Sequence, residues 1–264
     1  MPTLSFNKTK EAIPIAIIKG GDYNNEFLYW DADDQSISKK EKTYTFEKHV
    51  TEFDLPDDSM FYPLPDASGK HRQVYYIAGA SGSGKSYMAR MLAENYMKMY
   101  PKRHVFLVSK LEQDDTLDNM KPRKPTRINY KSFVENPPTI DEFTDCMVIF
   151  DDYDTIQGKE GDAVQLLIDD IAIQGRHTNT TILCLTHYIT NYKKTRLLLN
   201  ESNYFVVYPQ ATSAHALRYL LQTHVGMEKE DLHGLKKLGR WVLIHKNYPQ
   251  YILSKNKIKI LHQV

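Results

Sequence analysis

The sequence predicts an α/β fold: a three-layer core with a mostly parallel central sheet, preceded by a small N-terminal β-rich region and closed by a C-terminal hairpin. Three observations predict it. Apolar runs of strand length recur from residue 74 onward, as VYYIAG, HVFLVS, CMVIF, TILCLT and YFVVY. Segments with apolar residues at helical spacing lie between several of them. The run CMVIF is apolar throughout, which suits a central strand covered on both faces.

Residues 1–72 read as an accessory region and linker, and residues 73–264 as the main domain. In the first, Ile13–Ile18, a Gly20–Gly21 pair and Glu26–Trp30 predict a hairpin. A charged stretch, Asp31–Lys42, precedes a strand-like TYTF at 43–46. Residues 54–69 hold three prolines and several turn formers, hence a linker. In the second, 74–79 is a strand, and Met88, Met91, Leu92 and Met99 mark a helix from Ser86 to about Met99, stopped by Pro101. Strands follow at 104–109 and 146–150, separated by a polar, basic loop over 111–127. Val164, Leu167, Ile168 and Ile171 stripe a helix over Asp162–Gln174. Residues 181–186 form a fourth strand, 191–200 a helix and 204–208 a fifth strand. Ser213 is placed to cap a helix carrying Leu217, Leu220 and Leu221. Trp241–His245 and Tyr251–Leu253 flank KNYPQ as the closing hairpin. Lys255, Lys257 and Lys259 alternate, as on one face of an edge strand guarded against further pairing.

A chain of 264 residues suits one large α/β domain, or one domain with an appendage. With 41% apolar and 25% charged residues it can bury a real core, which excludes wholesale disorder. A net charge of +1 excludes a polycation, so nucleic-acid contact would need local basic patches or a ring of subunits that concentrates them. Lys121, Arg123, Lys124 and Arg127 are such a patch, as are Lys193, Lys194 and Arg196; a solvated surface is the favoured reading of each. Cys146 and Cys184 sit in apolar runs and read as buried thiols in a reducing compartment. No apolar run reaches the roughly 18 residues of a membrane span, so a soluble intracellular protein is expected. The histidines show no metal-ligand spacing.

Gly79-Ala80-Ser81-Gly82-Ser83-Gly84-Lys85-Ser86 matches GxxxxGK[ST] at each fixed position, after a strand and at the start of a helix. Glycines let successive backbone N–H groups converge on phosphate oxygens, and the helix N-terminus adds its positive dipole end. Lys85 reaches the β- and γ-phosphates of ATP, and the Ser86 hydroxyl ligates Mg²⁺. Asp151 follows CMVIF at a strand end, where it holds Mg²⁺ through its water shell as a Walker B acid. Asp152 stands where a general base polarises the attacking water; it reads alternatively as a solvated turn acid or one that orients a neighbour. This second acid, and a strand expected between the phosphate-loop and Walker B strands, point to a P-loop NTPase core of the ASCE/RecA-like motor type.

The segments GASGSGKS, VIFDD, QGRHTNTTILCLTH, KTRLLLN and YFVVYP together resemble the FtsK–HerA superfamily, and within it the poxvirus-type genome-packaging ATPases of large DNA viruses. The likeness covers roughly residues 74–210, with its specific weight on 174–209. IAIIKGGDYNNEFLYW adds a likeness to the N-terminal strands of giant-virus members. The resemblance implies a homo-oligomeric ring, pentamer or hexamer, that threads double-stranded DNA into a capsid, with capsid vertex proteins as partners. It implies a location in the host cytoplasm (the viral factory), in the virion, or both. It also implies a polar sensor at the end of the fourth strand. Relatives often carry Gln or Asn there, whereas this chain has Thr186 and His187, which read otherwise as polar residues satisfied by backbone or solvent. Finally, it implies an arginine finger given to a neighbouring subunit. Arg176 in GRH matches better and Arg196 second; a surface arginine or an ion pair is the other reading of each.

Two other functions fit a P-loop with these acids. A nucleotide or nucleoside kinase would need a cluster of lid arginines and an acceptor pocket, neither of which is clear in the sequence. A nucleotide-gated structural virion component, such as a vertex protein, would bind ATP for assembly; Asp152 argues against it.

Overall fold

The computed structural model describes residues 2–10, 12–31, 50–65 and 72–261, with the side chains of residues 192–194 left aside. The charged stretch beyond Asp31 and the TYTF segment at 43–46 lie outside the described residues, as do the side chains of Lys193 and Lys194.

Strands β1 (Thr3–Ser5), β2 (Ile13–Lys19), β3 (Phe27–Asp31) and β5 (Met60–Pro63) form an antiparallel sheet in the order β1-β3-β2-β5. Its centre is the expected hairpin, with Ile13 opposite Trp30 and Ile17 opposite Phe27. The second sheet takes β4 (Glu52–Asp54), β6 (Val74–Ala78), β7 (His104–Ser109), β8 (Thr126–Arg127), β9 (Cys146–Asp151), β10 (Thr181–Thr186), β11 (Tyr204–Val207), β12 (Val242–His245), β13 (Tyr251–Ser254) and β14 (Lys257–Ile260). Their order is β4-β14-β13-β12-β11-β6-β10-β9-β7-β8. The run from β11 to β8 is parallel and the run from β12 to β4 antiparallel. As expected, β10 separates the phosphate-loop strand β6 from β9.

Every residue of β6, β9 and β10 is buried, because both faces of this part of the sheet are covered. Alternation along the strands sorts the side chains into two cores. Tyr75, Ile77, Met147, Ile149, Leu183 and Leu185 pack on helix α1 (Lys85–Met99), where Met88, Met91 and Leu92 are core residues as expected and Met99 is half-buried. Val74, Tyr76, Val148, Phe150, Ile182 and Cys184 face helices α2 (Gly158–Thr178), α3 (Tyr192–Glu201) and α4 (Ala214–Leu220). The predicted stripe Val164, Leu167, Ile168 and Ile171 lies in that second core. Each such residue contributes about 1.5–3 kcal/mol by leaving water. Ser213 caps α4 by accepting from the Ala216 N–H at 3.2 Å. Burial raises both thiols, that of Cys146 to about 12, so both stay protonated.

Three expectations give way. Within the expected linker, Met60–Pro63 is a strand: Pro56 and Pro65 flank it, Pro63 closes it, and Phe61 alternates inward. β14 is not an edge, because β4 pairs with it, Lys257 meets Asp54, and Lys259 reaches Asp231 at 3.3 Å. The basic loop over 111–127 contains β8 and spends two of its four cations inside the molecule. Arg127 holds Asp118 through Nε at 2.7 Å and Nη2 at 2.9 Å, which pulls the Asp118 carboxyl down from its usual range. Arg123 donates to the carbonyls of Pro101 and Arg103. Among the described residues, no helix is long and apolar enough to cross a membrane.

Candidate nucleotide site

The loop from Gly79 to Gly84 leaves the carboxyl end of β6 and turns into α1, with the Gly79 N–H donating to the Thr186 carbonyl at 3.1 Å and the Ser83 N–H to the Ala80 carbonyl at 3.2 Å. Gly84 caps α1 at φ +113°, a left-handed conformation that side chains resist. Gly79 is required by space: a Cβ there would stand 2.6 Å from both Ser83 Oγ and a ring carbon of Tyr208. Lys85 is buried and donates from Nζ to the Gly79 carbonyl at 3.1 Å, folding back over the loop. Ser86 follows in the first turn of α1.

Across the sheet, β9 delivers Asp151 with 2% exposure. Ser109, opposite it on β7, donates to Asp151 Oδ2 at 2.9 Å. Burial, then the adjacent Asp152, pushes the Asp151 carboxyl up to about 6, while Lys85 opposes the rise. Asp152 takes a left-handed φ of 46°, which turns its carboxylate back toward the loop, 3.7 Å from Lys85 Nζ. The two halves of the predicted site therefore meet. Thr186 and His187, at the end of β10, join them, with His187 Nδ1 3.7 Å from Asp152 Oδ1.

Three participants escaped sequence reasoning. Asp154 accepts at Oδ2 from Thr186 Oγ1 and from the His187 N–H, both at 2.8 Å, so it anchors the strand-end pair. The only sequence signal is a third acid in DDYD. Arg240 donates from Nε to the Ser83 carbonyl at 2.8 Å and from Nη2 to the Gly82 carbonyl at 2.6 Å, clamping the phosphate loop from the far end of the chain. Tyr208 buries its ring beneath Gly79 and Gly84. Nothing local to Arg240 or Tyr208 announces either contact.

The two finger candidates lie apart from this cluster. Arg176 is exposed in the last turn of α2, next to Thr178, whose carbonyl accepts from the Asp145 N–H ahead of β9. That is the opposite end of the sheet from the chain's own phosphate loop. Arg196 is exposed in the middle of α3, which starts beside the carboxyl end of β10 and ends at the Glu201–Arg72 ion pair.

No family model matches the chain. Protein V3 of the Sputnik virophage, an uncharacterized protein, is 31% identical over 263 residues, spanning 98% of this chain and 100% of V3. This chain belongs to the V3 family. Among solved structures, this V3-family chain matches the cytoplasmic domain of the type VII secretion ATPase EccC from Thermomonospora curvata at TM-score 0.50 and 14% identity, over 94% of this chain and 28% of EccC. It also matches the genome-packaging NTPase B204 of Sulfolobus turreted icosahedral virus 2, solved with ATP-γS, at TM-score 0.49 and 13% identity, over 72% of this chain and 98% of B204. The fold of this V3-family chain is that of the P-loop ATPases, as the FtsK–HerA resemblance implies.

Proposed function

We propose that the chain is a magnesium-dependent ATPase that drives double-stranded DNA into a viral capsid. The observation that carries the ATPase reading is the convergence of Lys85, Asp151, Asp152 and His187 on the carboxyl ends of β6, β9 and β10. The DNA-translocating part rests on the FtsK–HerA resemblance of residues 74–210.

Ser86 and Asp151 suit a magnesium ion, since a buried carboxylate with a raised pKa is held ionised by a divalent cation beside it. When bound, that ion neutralises charge on the β- and γ-phosphate oxygens. The chain's own groups do the rest. Phosphate-loop amides bind the triphosphate, kept in place by the Arg240 clamp. Lys85 leaves the Gly79 carbonyl for a phosphate oxygen. Asp152 accepts a proton from the attacking water, and Thr186 and His187 sense the γ-phosphate. Arg176 or Arg196 reaches the site of a neighbouring subunit and stabilises the transferred phosphoryl group.

Purified protein is expected to hydrolyse ATP, faster with double-stranded DNA, and Lys85→Ala to lose roughly 100-fold or more in kcat, as for removal of one transition-state donor. Wild-type turnover in Lys85→Ala would refute the site, and indifference to DNA would refute the motor. Mixing Lys85→Ala subunits with Arg176→Ala or Arg196→Ala subunits restores part of the rate if that arginine acts across an interface. No recovery at any ratio counts against it.

A further inference from the structure

Three polar side chains beside Lys85 lie close to one another. Asp152, Asp154 and His187 bring ligand atoms within 4.8 Å of one another, and Asp152 Oδ1, which has Lys85 Nζ at 3.7 Å, Asp154 Oδ1 and His187 Nδ1 each lack a hydrogen-bond partner. His187 Nδ1 stands 3.5 Å from the Asp154 oxygen and 3.7 Å from the Asp152 oxygen. The Asp154 side chain is only 4% exposed, so its second oxygen is a buried acceptor facing His187 Nδ1.

The distances decide what fits. An imidazolium between two carboxylates would close to about 2.7–2.9 Å on at least one of them. The observed separations are too long for that. The two histidine–carboxylate separations lie close to the edge of a coordination polyhedron instead: ligand atoms each about 2.1 Å from a tetrahedral metal stand about 3.4 Å apart. The support is also in place. Asp154 Oδ2 is pinned by Thr186 Oγ1 and the His187 N–H, which fixes the carboxylate and the residue bearing the imidazole relative to each other.

We propose that Asp152, Asp154 and His187 form a site for a divalent first-row transition-metal ion, distinct from the magnesium that travels with ATP. An imidazole beside two carboxylates favours Zn²⁺, Co²⁺ or Mn²⁺ over Mg²⁺, and three protein ligands leave a position open. Residence of such an ion ties up Asp152, so it slows hydrolysis without displacing the nucleotide. This inhibition rests on the ATPase reading; the metal site itself does not.

The test uses the full chain without nucleotide, titrated with Co²⁺ in excess Mg²⁺ and followed by the visible absorption of bound cobalt, with Zn²⁺ as competitor. One equivalent of cobalt is expected to bind and zinc to displace it. His187→Ala and Asp154→Asn should each weaken binding at least about 10–100-fold, the loss that follows even from removing an outer partner of a ligand. Ser86→Ala, which removes a ligand of the magnesium that travels with ATP, should retain the cobalt spectrum, so failure of the ATPase reading and failure of the metal site are told apart. Circular dichroism checks that the variants are folded; if Asp154→Asn is not, His187→Ala, altered at a partly exposed side chain, decides alone. No cobalt absorption in the wild-type chain, or equal affinity in folded His187→Ala, overturns the proposal.

Discussion

Asp151 shows how a site residue works against the fold that holds it. Its carboxyl titrates at about 6 in the folded chain because burial and Asp152 disfavour the charge, against 3.8 for the free group. Between those values the native state holds more protons than the unfolded one, so stability falls as pH rises through the window. Above about pH 6 the full cost is present. Asp151→Asn removes the charge and keeps an oxygen for the Ser109 hydroxyl. In metal-free, nucleotide-free protein it should be more stable than wild type by about 1–3 kcal/mol at pH 7–8, with the gain vanishing near pH 4. Thermal unfolding across pH checks this, and a gain that is flat with pH would contradict it. The same variant should lose magnesium-dependent nucleotide binding, since the destabilising charge is the one the cation needs.

At the scale of elements, what was legible and what was not divides by sequence distance. The phosphate loop, the helix behind it and the stripe of α2 are local patterns, in which each residue's role depends on neighbours three or four positions away. β4 is three residues long and pairs with β14, whose Lys257 meets Asp54 across most of the chain. No local periodicity encodes such a pairing, and prolines around β5 mimic a linker. Arg240 escaped for the same reason: its carbonyl partners lie 157 and 158 positions away. Helix ends lie between these cases. α2 runs past its predicted limit to Thr178 and stops at Asn179, whose φ of 53° is left-handed and whose Nδ2 donates to Asp145 Oδ1 at 2.7 Å. That bond ties the end of α2 to the start of β9. Asn179→Ala should destabilise by about 1–2 kcal/mol, losing the bond and resisting the conformation, whereas Asn179→Gly should lose less. Urea unfolding with an unchanged m-value separates the two; equal losses would show that the backbone conformation contributes nothing.

The molecule as a whole depends on its first 65 residues more than their accessory appearance suggests. Ile18, Leu28 and Phe61 from the small sheet share one core with Met88, Leu92 and Tyr96 of α1 and with Tyr75 and Ile149 of the large sheet. α1, which carries Lys85, is therefore held from both sides, and the side chain of Asn95 donates to the Pro63 carbonyl at 3.0 Å. β4 meanwhile covers β14, whose open edge would otherwise offer N–H and C=O groups to another chain. Cutting the chain to residues 73–264 removes both supports at once. The shortened chain should expose the outer face of α1, pair through β14 and aggregate, or unfold at a much lower urea midpoint with weakened nucleotide binding. Light scattering and urea titration of the two chains side by side make the comparison. A soluble shortened chain with the wild-type midpoint and nucleotide affinity would show that the small sheet is a detachable appendage, and that the phosphate-loop helix is positioned by the large sheet alone.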